Sequence, residues 1–138
     1  MIQRIQSVWL LLCSLFSAIS FKVPFYSGDW LRDTVPTNVD LNALTTWWLA
    51  VISAATGILA LVNIFLFKNR KLQLRLCYLG IFLSAALLTL YFLEMENFAS
   101  GTLAFWCIFH FAILIFYILA ARGITRDQKL IRSLDRLR

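Results

Sequence analysis

Four apolar runs, each nearly free of charge, constrain this chain more than any other feature. They cover about residues 5–21, 44–67, 76–93 and 103–121. A helix needs roughly 17–25 apolar residues to cross the hydrocarbon core of a bilayer, and inside that core it satisfies its own backbone hydrogen bonds. The chain is 61% hydrophobic and 14% charged, against about 25% charged in a soluble domain. Its 138 residues make one compact unit. A chain of about 150 residues buries only around 70% of the surface it exposes unfolded, so this composition asks for lipid as its solvent. The expected fold is an all-α membrane protein with four transmembrane helices arranged as two hairpins.

Charge placement orients those hairpins. Arg4 precedes the first run, Lys68, Arg70, Lys71 and Arg75 fill the segment 68–75 between the second and third, and Arg122, Arg126, Lys129, Arg132, Arg136 and Arg138 fill the tail 122–138. These are eleven of the thirteen basic residues, and they fall in alternate segments. Lys22, Arg32, Asp29, Asp33, Asp40, Glu94 and Glu96 occupy the other two loops, 22–43 and 94–102. Lys and Arg are retained on the cytoplasmic side during insertion, so both termini and the middle loop are expected in the cytoplasm. The net charge of +6 is thereby a topology signal. It lacks the clustered aromatics and base-reading side chains of a nucleic-acid surface, and no nucleic-acid partner is expected.

The first run resembles a signal peptide in its basic start, apolar middle and small residues Ala18 and Ser20; it is read here as an uncleaved helix. The loop 22–43 holds Pro24, Pro36 and the turn signal Ser27-Gly28-Asp29, with Phe25-Tyr26 and Trp30-Leu31 placed to form a small hairpin around that turn. On the second span Ala50, Ser53, Ala54, Gly57 and Ala60 make a ridge of small residues where another helix can approach closely. Gly80 and Ser84 repeat it on the third. Tyr26, Trp30, Trp47, Trp48, Tyr91 and Trp106 fall toward the outer boundary, and Trp9, Tyr78 and Tyr117 toward the inner one, as an aromatic belt requires. In the tail, Gly123 is expected to stop the fourth helix, and Thr125 with Gln128 matches a capping box. A short amphipathic helix would follow, with Leu130, Ile131, Leu134 and Leu137 on one face, suited to the membrane surface.

The start Met1-Ile2-Gln3-Arg4-Ile5-Gln6-Ser7 and the end Arg132-Ser133-Leu134-Asp135-Arg136-Leu137-Arg138, around four spans, resemble the family called domain of unknown function 4293. The resemblance covers the full length and implies a small integral protein of the inner membrane of Bacteroidota. It supplies no activity and no catalytic residues.

An ionisable residue inside a span is a functional hypothesis, and His110, the single histidine, is the one candidate. By helical rise, Ser14, Ser53 and Ser84 fall at a similar depth on the other three helices, so a polar layer is expected around His110. The structural counterpart of that reading is a neutral imidazole bonded to a Ser hydroxyl or a backbone carbonyl. Cys107 shares a helical face with His110, but a structural zinc site needs four ligands, and Cys13 and Cys77 are expected at other depths. No metal or cofactor is expected. Asn63 is read as structural, and Glu94 with Glu96 as a solvated pair at the outer mouth. With no Gly-rich phosphate loop, no Ser-His-Asp set and no carboxylate within a span, the expected role is non-enzymatic: an accessory or assembly subunit of a larger inner-membrane complex, held by helix–helix contacts. The alternatives are a cofactor- or lipid-binding protein using the His110 layer, or a small transporter or channel. The basic residues Lys68, Arg70, Lys71, Arg75, Arg126, Lys129, Arg132 and Arg136 are read first as anchors of the topology, and they are also placed to offer a surface to anionic lipid headgroups.

Overall fold

A computed structural model describes residues 2–31 and 37–136, with side chains from residue 5 onward. Met1, Leu137 and Arg138, and the loop residues Arg32, Asp33 and Pro36, lie outside the described residues. Four helices run α1 (Ile2–Ile19), α2 (Trp47–Phe65), α3 (Arg70–Met95) and α4 (Ile108–Arg136). Each packs on its neighbour in chain order, and α4 closes onto α1. Three segments, Trp47–Phe65, Arg70–Met95 and Phe105–Arg136, are long and apolar enough to cross a membrane, while the apolar part of α1, Ile5–Ile19, is shorter.

The all-α expectation is corrected in the loops 22–43 and 94–102. Strands β1 (Tyr26–Trp30), β2 (Thr37–Leu41) and β3 (Phe98–Leu103) form an antiparallel sheet in the order β2-β1-β3. Ser27-Gly28-Asp29 is therefore the middle of a strand and not a turn. Gly28 pairs with Val39 on one side and Gly101 on the other. A Cβ on Gly28 would run into the Ser100 carbonyl, and one on Gly101 would sit 2.6 Å from the Ser27 carbonyl oxygen. Two glycines facing each other thus let β1 and β3 approach, which neither loop discloses when read alone. A bulge between Asp29 and Trp30 lets Trp30 pair with Phe98. A single 3-10 turn, Phe105–Cys107, then leads into α4.

The middle basic segment is also shorter as a loop than expected. Lys and Arg are good helix formers, and neither Gly nor Pro interrupts 68–75, so α3 already begins at Arg70. Reversal is confined to the residues after Phe65, where the Asn69 N–H donates to the Leu66 carbonyl at 3.1 Å.

Nor does the fourth helix stop at Gly123. It continues unbroken to Arg136, so the separate amphipathic helix is not formed. The missing Cβ at Gly123 admits the Gln6 side chain, whose Cγ lies 2.9 Å from where that atom would be. Thr125 donates to the Ala121 carbonyl at 2.9 Å, one helical turn back, and does not cap. Ile124 and Asp127 are buried beyond the glycine, so packing against α1 carries the helix through.

Beside an apolar core, the helices bury many polar side chains and expose many apolar ones. Gln6, Ser17, Ser20, Ser53, Thr56, Asn63, Gln73, Ser84, His110 and Asp127 are buried, while Val8, Leu11, Leu15, Val51, Ile58, Phe65, Leu79, Phe82 and Ile115 are exposed. A contiguous apolar exterior of this kind is a liability in water. In lipid it is the expected surface.

Candidate functional site

The backbone of Phe25 is held by the sheet, and its ring descends among the helices. Its N–H donates to the Leu41 carbonyl at 2.7 Å, and its carbonyl accepts from the Ala104 N–H at 3.0 Å. The ring stacks on Tyr91 of α3 at 4.6 Å between centroids and meets His110 of α4 edge-on at 5.1 Å. Tyr91 and His110 also meet edge-on, at 4.6 Å. The three side chains close a box in which His110 is 1% exposed. Among the described residues neither imidazole nitrogen has a hydrogen-bond partner, and neither does the Tyr91 hydroxyl. A buried polar group left unpaired costs about 1–3 kcal/mol, so this cluster holds hydrogen-bonding capacity in reserve. A neutral imidazole there offers one donor and one acceptor.

The expected polar layer does not assemble around that histidine. Ser84 is buried but donates within its own helix, to the Ile81 carbonyl at 3.0 Å. Ser14 is half-buried, and its carbonyl lies 4.0 Å from where a Cβ on Gly57 would be. Ser53 turns toward α1: its carbonyl accepts from Ser17 at 2.7 Å, and its hydroxyl is 2.8 Å from that of Ser20. The expected bond from His110 to a serine or carbonyl is absent among the described residues, because the sheet brings in Phe25 and fills that space with a ring. The sequence places Phe25 in a small hairpin around a turn; only the pairing of β1 between β2 and β3 reveals its inward course.

The small-residue ridges act where they meet other helices. Ser53, Gly57 and Ala60 are buried, with Ala50 and Ala54 half-buried beside them. A Cβ on Gly57 would be 2.8 Å from the Ser17 hydroxyl oxygen, and one on Gly80 would enter the Tyr117 ring. Tyr117 donates to the Thr56 carbonyl at 2.6 Å, Asn63 to the Cys77 sulfur at 3.0 Å, and Gln73 to the Asn63 carbonyl at 3.2 Å. Gln6 and Asp127 join α1 to α4 at 2.6 Å. Tyr91 and Tyr117 are thus core residues, their rings turned into the bundle. Cys13 and Cys77 belong to one core cluster and Cys107 packs against the other; all three are free thiols. Glu94 is engaged too, accepting from Trp48 at 3.1 Å and from Asn97 at 3.0 Å.

At the opposite end Lys68, Arg70, Lys71, Arg75 and Arg132 line one pocket, together with Asn69, Leu72, Gln128 and Ile131. Arg126 and Lys129 line a second with Arg122, and Arg136 lines neither. Among the described residues no group of three or more His, Cys, Asp and Glu side chains is placed to hold a metal ion.

An apolar exterior, hydrogen bonds between helices in the interior and helices of spanning length place this fold in the class of helical membrane proteins. The chain belongs to the family described as Domain of unknown function (DUF4293), whose model matches residues 2–137. No curated protein and no solved structure matches it.

Proposed function

We propose that the protein is a non-enzymatic accessory or assembly subunit of a larger complex in the bacterial inner membrane, crossing it four times with both termini in the cytoplasm. The observation that carries this reading is the use of the buried polar groups. Gln6, Cys13, Ser17, Asn63, Gln73 and Tyr117 all tie one helix to another, which builds a rigid scaffold and leaves an apolar exterior for lipid or a partner helix. The fourth crossing is supported by α1 packing beside α2 and α4, with its bonds to Ser53, Ile113 and Asp127 distributed along its length. The orientation is supported by the segregation of basic residues between the loops. Purified in a mild detergent, the protein should bring down a larger membrane partner in fixed ratio. Recovery as a clean monomer or homodimer would sink the proposal.

A second reading has its own observation, the unpartnered His110 and Tyr91 in their aromatic box. It is a cofactor- or lipid-binding role for that cluster. A purified sample with a haem absorption band, or a cellular function lost in His110→Leu at normal expression, would favour it. Colourless protein together with an indifferent variant would remove it.

A further inference from the structure

Two pockets, each lined by residues of both α3 and α4, follow one another along the seam of these helices. The first, about 520 Å³, carries five cations, Lys68, Arg70, Lys71 and Arg75 from the reversal and first turns of α3, and Arg132 from α4. The second, about 410 Å³, is lined by Arg122, Arg126 and Lys129 together with the apolar or aromatic Tyr78, Ile81 and Ile118. No carboxylate lines either pocket among the described residues. Because α3 begins at Arg70 with no side-chain cap, the positive end of its dipole adds to the cations. Along α4, from Arg132 back to Ile118, the seam passes from cations to hydrocarbon over about 20 Å at the helical rise. Eight basic side chains on a soluble surface would leave the ligand open. Here they end in an apolar groove on a lipid-facing wall, and basic pockets between helices at the cytoplasmic side of a membrane suit phosphate head groups.

We propose that this seam is a specific site for an anionic phospholipid, its phosphate held among Lys71, Arg75 and Arg132 and one acyl chain lying over Ile118 and Tyr78. The site uses the membrane placement argued above and is independent of whether the protein serves a larger complex. It differs from a diffuse positive platform because position, and not only charge, decides binding.

The test is lipid retention by the full chain in phosphatidylcholine nanodiscs doped with phosphatidylglycerol, read by native mass spectrometry. Phosphatidylglycerol should be retained over phosphatidylcholine. Arg75→Gln or Lys71→Gln should weaken retention about fivefold, the equivalent of roughly 1 kcal/mol per basic residue, whereas Arg136→Gln, which removes the same charge outside the pockets, should not. Ile118→Trp should fill the groove and lower phosphatidylglycerol retention while leaving the binding of millimolar glycerol phosphate unchanged. Equal loss in Arg75→Gln and Arg136→Gln would overturn the site in favour of diffuse attraction. Inorganic phosphate or glycerol phosphate displacing the lipid at equal concentration would overturn the acyl groove. Helicity by circular dichroism, required to match the parent in every variant, separates these outcomes from misfolding.

Discussion

At the sheet end of the molecule His110 and Tyr91 are sealed in by aromatic rings and make no side-chain hydrogen bond among the described residues. Further along the helices Tyr117, Asn63 and Gln6 each reach across to another helix. The two regions are cores of different kinds. One is held by ring packing from a loop segment, Phe25, inserted among the helices. The other is held by buried hydrogen bonds between helices, under close helix approach at Gly57 and Gly80. Polar atoms left unpaired in the first are consistent with a ligand; paired atoms in the second are consistent with a scaffold.

The comparison breaks most readily at Phe25. Phe25→Ala removes the ring common to Tyr91 and His110, and should cost about 3–5 kcal/mol when unfolding is followed by tryptophan fluorescence in mixed micelles. A loss below 1 kcal/mol would mean that the sheet does not hold the helices at all. In the hydrogen-bonded core, Gly80→Val drives a side chain into the Tyr117 ring and should destabilise by about 1–3 kcal/mol in the same assay. Asp127→Ala leaves the Gln6 amide buried without its acceptor, at about 1–3 kcal/mol. An unchanged midpoint there would show that the α1–α4 contact opens readily to water.

The smallest effect is the most discriminating. Tyr117→Phe deletes a hydroxyl that donates to Thr56, and should cost about 0.6 kcal/mol, the average for such bonds inside membranes. Tyr91→Phe deletes a hydroxyl with no partner among the described residues, and should leave stability unchanged or raise it. The reverse ranking in side-by-side unfolding curves would show that the two cores do not differ as described.

Much of the helical framework is legible in the residues, because four uncharged apolar runs leave a chain few other choices. The loops are not legible in the same way. Tyr26–Trp30 and Phe98–Leu103 are Gly- and Ser-containing, lack a clean alternation of apolar and polar residues, and lie some seventy positions apart, so neither reads as a strand until helix packing brings them side by side. His110 is legible as the single histidine of the chain, whereas its neighbours are not. Helical rise gives the depth of Ser14 and Ser84 but leaves open which way they turn, and it is silent about Phe25.

By itself the sequence determined that the chain is apolar-coated, helical and divided by charge, since hydrophobic run length and charge placement act locally along the chain. Tertiary structure alone decided that two loops become one sheet, that a loop phenylalanine and not a serine faces His110, and that α4 runs through Gly123. The physical reason is common to all three. Each depends on contacts between residues distant in sequence, Gly28 with Gly101, Phe25 with Tyr91 and Gln6 with Asp127, and their energies override local turn and cap preferences once the helices have packed.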